Sequence, residues 1–87
     1  MLHHYPFTSR IYIGNIKDVE KEEVRSFFSK FGVITDIWIA RNPPGFGYIT
    51  FEKEEEATQA IREADGDILQ DKKIIVQLAK PRVKRPM

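Results

Sequence analysis

Ile11-Tyr12-Ile13 alternates apolar and aromatic residues with period two and predicts a first strand, ended by Gly14-Asn15. Asp18 is placed to cap a helix, and Glu20 and Glu22 sit near the positive end of its dipole. Val24, Phe27, Phe28 and Phe31 then recur at helical spacing and mark a buried stripe, which Gly32 stops. Residues 34–40 read as a second strand, with Ile37 and Ile39 on one face and Trp38 on the other. Arg41-Asn42-Pro43-Pro44-Gly45 is a short, stiff connection, because each proline fixes φ and removes a donor. A third strand runs to Phe51. Residues 54–64 form a second amphipathic helix with Ala57, Ala60, Ile61 and Ala64 inward; no capping side chain precedes it, and Asp65-Gly66 breaks it. Ile68 and Leu69 anchor the following loop. Residues 73–78 make the last strand, with Ile74, Val76 and Leu78 inward and Ile75 and Gln77 outward.

The order is βαββαβ. Both helices must bury a stripe against a sheet with one apolar face to offer, so both belong on the same face of a four-stranded antiparallel sheet. Right-handed crossovers place the first and third strands side by side in its centre.

The third strand carries the most information. Alternation puts Phe46, Tyr48 and Thr50 on one face and Gly47, Ile49 and Phe51 on the other. Ile49 and Phe51 suit the core, so Phe46 and Tyr48 belong on the open face, with Tyr12 beside them. Rings held in the open on a stiff strand invite a partner with a flat apolar face, and nucleic-acid bases are such partners. The competing reading packs these rings under a loop or a C-terminal helix.

Eighty-seven residues make one domain with a single core. There is no cysteine, so disulfides and thiolate zinc sites are excluded. His3 and His4 are adjacent, with no third ligand near, and no cofactor is implied. No apolar run approaches the roughly 20 residues of a membrane span. The first residues lack the pattern of a signal peptide, so an intracellular chain without a membrane role is expected. The net charge of +1 hides an asymmetry: from Lys80 onward there are four basic residues and no acidic one, while the body before them balances at −3. This tail reads either as a solvated linker or as a contact for a polyanion. No histidine lies in the body, and Ser26 and Ser29 have no base at a recognisable spacing, so an enzyme is not expected.

Residues 11–16 (Ile-Tyr-Ile-Gly-Asn-Ile) resemble the six-residue ribonucleoprotein motif of the RNA recognition motif (RRM) family. Residues 44–51 resemble its eight-residue partner, K/R-G-F/Y-G/A-F-V-x-F/Y. Gly45, Phe46, Gly47 and Phe51 match literally, and Tyr48 and Ile49 by class. Pro44 departs, because the family usually places a cation there to meet a phosphate. Residues 38–46 are similar to the second-to-third strand hairpin of serine/arginine-rich (SR) splicing factors. In that subgroup the double-proline turn and the exposed tryptophan recur, and proline replaces the cation. The chain departs from the subgroup in lacking a run of Arg-Ser dipeptides.

The resemblance implies an α+β, ferredoxin-like βαββαβ sandwich over residues 10–80, after a flexible lead (1–9) and before a basic tail (81–87). It implies binding of two to four nucleotides of single-stranded RNA, in splicing or messenger RNA processing in the nucleus, by a monomer that also meets other splicing or messenger-ribonucleoprotein proteins. Tyr12, Phe46 and Tyr48 would form the stacking platform, extended by Trp38. Gln77, with main-chain groups near Ala79 and Lys80, would read base edges. Arg10, Arg41, Lys73, Lys80 and Arg82 would neutralise phosphates. Lys72 and Lys73 also read as a solvated turn, and Gly45 and Gly47 as positions that let backbone pack and bases approach. The alternative is an RRM that grips a partner peptide with its helical face. Some such variants carry an Arg-x-Phe signature before the last strand, which residues 65–70 lack.

Overall fold

The computed structural model of the protein describes residues 9–79; Lys80, Arg82 and the rest of the basic tail, like His3 and His4, lie outside the described residues. Within 9–79 the chain forms β1 (Arg10–Gly14), α1 (Lys21–Phe28), β2 (Ile34–Arg41), β3 (Pro44–Phe51), α2 (Glu54–Ala64), a two-stranded hairpin of β4 (Ile68–Leu69) and β5 (Lys72–Lys73), and β6 (Ile75–Leu78). The main sheet is antiparallel in the order β2-β3-β1-β6, with β1 and β3 central as expected.

Burial follows the period-two pattern. Ile11 and Ile13 of β1, Ile49 and Phe51 of β3, and Ile37 of β2 point inward, joined by Ile74 and Val76. They meet Val24, Phe28 and Phe31 from the first helical segment and Ala57, Ala60 and Ala64 from α2. Each fully buried Phe or Ile side chain stabilises the fold by about 1.5–3 kcal/mol. The three alanines keep the inner side of α2 thin, so its backbone lies close to the sheet.

The helix starts differ from expectation. Asp18 does not cap α1. Ile16 and Val19 are both buried, and the Val19 N–H donates to the Ile16 carbonyl at 3.0 Å, which turns the chain between them. Asp18 sits in that turn with φ +71°, a conformation Asp tolerates but an N-cap does not use. The cap comes from inside the helix instead: Glu23 Oε1 accepts from the Glu20 N–H at 3.1 Å. Likewise Glu56 Oε1 accepts from the Lys53 N–H at 3.0 Å and supplies the start that α2 lacks on its preceding side. Each is one half of a capping box, in which the carboxylate at the third helical position reaches back to the chain entering the helix. The first helix ends at Phe28, and a 3-10 turn over Ser29–Phe31 continues its stripe before Gly32. Phe27 is only partly buried and packs at the margin of the core, under the Lys30 ammonium 4.5 Å from its ring centre.

The end of the chain departs further. Lys72 and Lys73 pair with Ile68 and Leu69 in the separate hairpin instead of opening the last strand. Gln70 and Asp71 turn the hairpin with positive φ, and the Gln70 amide donates to the Glu23 carboxylate on α1. Leu78 pairs with inward-facing Ile11 but is 50% exposed, because it ends an edge strand with a neighbour on one side only.

Gly47 is fixed by close approach. A Cβ built there would lie 2.5 Å from the Trp38 carbonyl oxygen and 2.8 Å from Ile39 Cδ1. Gly47 is buried, so its role is packing of β3 against β2, and no base can reach it. Gly47→Ala should therefore lower stability by about 1–3 kcal/mol, measured by urea unfolding, since a backbone carbonyl has to move. Phe51→Ala should cost about 3–5 kcal/mol in the same assay; unchanged stability would mean that Phe51 does not face the core.

Candidate nucleic-acid interface

The inward set on β1 and β3 forces the complementary set outward, and the strand register lines these residues up. Gln77 pairs with Tyr12, Tyr12 with Tyr48, and Tyr48 with Trp38. One row across all four strands thus reads amide, phenol, phenol, indole. Phe46 lies one pleat along β3, opposite Gly14.

The four rings touch. Tyr12 stacks against Phe46 with centroids 6.0 Å apart and planes 28° apart, and meets Tyr48 edge-on at 5.8 Å. Trp38 stacks against Tyr48 at 5.9 Å and 27° and meets Phe46 edge-on at 5.9 Å. Such pairs add about 0.5–1.5 kcal/mol each beyond burial, so the platform is held in shape without a ligand. Trp38 is 51% exposed, while Tyr12, Phe46 and Tyr48 are partly covered by one another. Gly14 makes room for the arrangement. A Cβ there would sit 3.0 Å from Tyr12 Oη and 3.2 Å from its Cε2, so the phenol lies along the strand over a bare backbone.

The predicted polar residues divide. Gln77 stands beside Tyr12 at a shallow depression of about 450 Å³ lined by Tyr12, Tyr48, Ile75, Gln77, Leu78 and Ala79. Arg10 lies on the platform, its guanidinium carbon 4.3 Å from the Tyr48 ring centre, a cation–π contact. Arg41 is exposed at the hairpin end of β2, in a cleft it shares with Trp38 and the 18–21 segment. Lys73 is not brought to the sheet. It belongs to the β4–β5 hairpin, its carbonyl accepts from Asn15 Nδ2 at 2.8 Å, and its stem runs past Gly66. Lys80 and Arg82 lie outside the described residues.

One exposed group on this side, Asp36, has no place in the expectations from the sequence. It shares the open face with Trp38, Tyr48 and Thr50, and the same alternation that placed those residues could have found it. Ile75, 42% exposed, forms an apolar margin beside Gln77. The outer side of α2, on the far side of the molecule, carries Glu54, Glu55 and Glu63 against Arg62. A polyanion is thus disfavoured there and admitted at the sheet. Among the described residues no group of His, Asp or Glu side chains is placed to hold a metal ion.

Comparison with known proteins agrees with this geometry. The chain matches the RNA recognition motif family over residues 11–75. It is 46% identical over 59 residues to serine/arginine-rich splicing factor RSZ22A of Arabidopsis thaliana, covering 67% of this chain and 30% of that protein. It is 36% identical over 75 residues to human serine/arginine-rich splicing factor 3, covering 85% of this chain and 46% of that one. The chain thus spans less than half the length of these relatives. Among solved structures, the Mip6 RRM3 domain superposes with a TM-score of 0.80 at 28% identity, over 85% of this chain and 95% of that one. The Nab3 RRM, described in terms of cis element recognition of non-polyadenylated RNAs, superposes at 0.75 with 31% identity, over 86% and 99%. With its paired motifs on the two central strands and its helices on one face, the chain belongs to the RNA recognition motif family.

Proposed function

We propose that the protein binds two to four nucleotides of single-stranded RNA across the open face of its sheet. The observation that carries this reading is the single connected platform of Tyr12, Phe46, Tyr48 and Trp38, with a hydrogen-bonding amide, Gln77, at the end of its row. Rings already packed against each other present preformed faces, so a base meets a surface that needs little reordering. Stacking contributes about 1–3 kcal/mol per base. Three bases give roughly 3–9 kcal/mol before the ordering of the RNA is deducted, which places one such domain near micromolar affinity.

Arg41 and Arg10 supply positive charge at two ends of the platform, and Gln77 with main chain near Ala79 reads base edges. The domain, residues 10–80, works as a monomer, and the basic tail with Lys80 and Arg82 adds phosphate contacts. Lys73 is left as a peripheral charge. The SR splicing factors among the relatives support a role in splicing or messenger RNA processing in the nucleus, alongside other proteins of those assemblies.

Titration with short single-stranded RNA, followed through Trp38, the chain's one tryptophan, tests this directly. Phe46→Ala should weaken binding by about 1–3 kcal/mol, the value of one stacked base, with the cooperative unfolding transition retained. Undiminished binding would show that the platform is not the site. The logarithm of affinity should fall with the logarithm of salt at about 0.7 per neutralised phosphate. Arg41→Ala should flatten that slope by about the same 0.7 without altering base preference.

A further inference from the structure

Asp36 stands out on a surface meant for a polyanion. A carboxylate beside the platform repels phosphate, yet the fold takes trouble to put it there. Ile34 pairs with Phe51 and packs against the core, whereas Asp36 pairs with Thr50 on the open face. Both have even numbers, so in a regular strand they would share a face. The register shift between them makes Thr35 a bulge residue, and its hydroxyl donates to the Thr50 carbonyl at 3.3 Å. A bulge re-aims the side chains that flank it. Here it lets Ile34 stay in the core while Asp36 joins Trp38.

The neighbourhood leaves that carboxylate available. Asp36 is exposed, and among the described residues the one ion pair is Arg25 with Glu22, on α1. Arg10 flanks Thr50 from the other side, but its guanidinium lies on Tyr48. Asp36 and Trp38 are two residues apart, about 6.6 Å along the strand. A base stacked on the half-exposed indole therefore brings its edge within reach of the carboxylate. An ionised carboxylate only accepts hydrogen bonds, through two parallel oxygens. Guanine offers two adjacent donors, N1–H and the N2 amino group. Cytosine and adenine each offer one amino group. Uracil offers a single N–H between two carbonyl oxygens, which the carboxylate repels.

We propose that Asp36 is a base-selecting residue: with Trp38 it forms a slot that accepts guanine and rejects uracil. This rests on the RNA-binding reading above and adds to it a specificity and the residue that sets it.

The test uses four pentaribonucleotides, UUNUU with N as G, C, A or U, titrated against the wild-type protein and the Asp36→Asn and Asp36→Ala variants. Asp36→Asn keeps the shape and removes the charge, and the position is exposed, so folding is not at stake. Wild type should bind the guanine pentamer about tenfold more tightly than the all-uridine one. Both variants should reduce that ratio to about twofold or less, chiefly by weakening guanine binding. A wild-type protein without the guanine preference overturns the proposal. So does a preference that survives both substitutions, or an equal tightening for all four pentamers, which would make Asp36 a repulsive charge and nothing more. Failure of the wild type to bind any pentamer overturns the RNA-binding reading itself, and this one with it.

Discussion

The phase of β3 governs everything else in this molecule. Ile49 and Phe51 are buried to within a percent, and Gly47 lies against the Trp38 carbonyl with no room for a side chain. These three positions allow one register and one facing. A slip of a single residue would send two large apolar side chains into water and drive the rings into the core. Core packing, a matter of stability, thereby dictates the outward direction of Phe46 and Tyr48, a matter of recognition. Because β3 is central, the same constraint reaches Tyr12 on one flank and Trp38 on the other.

The open face is not a bare set of exposed rings. Its members support one another, and Arg10 already lies on Tyr48. The ring contacts fix the shape of this face in advance. Asp36 adds a carboxylate to the open face itself, and a local irregularity of the backbone presents it.

Much of this was legible in the residues. Alternation gave the facing of all four rings, helical spacing gave the stripe through Val24, Phe28 and Phe31, and chain order gave the central pair of strands. What escaped depended on interactions that no periodicity encodes. The helix caps come from Glu23 and Glu56 inside each first turn, not from a residue ahead of it. The hairpin of β4 and β5 rests on two left-handed residues, Gln70 and Asp71, neither of them glycine. It removed Lys73 from the sheet. The bulge at Thr35 changes phase within one strand, and a pattern read with a fixed period passes straight over it.

Glu23 joins two of these features. One carboxylate oxygen holds the beginning of α1, and the carboxylate also takes the Gln70 amide from the hairpin tip. Segments 47 residues apart in the chain thus share a single acceptor. Local opening of a protein proceeds in cooperative patches, and this bond ties two remote segments to one carboxylate. The first turn of the helix and the remote β-turn are thereby fastened to one another through a single side chain.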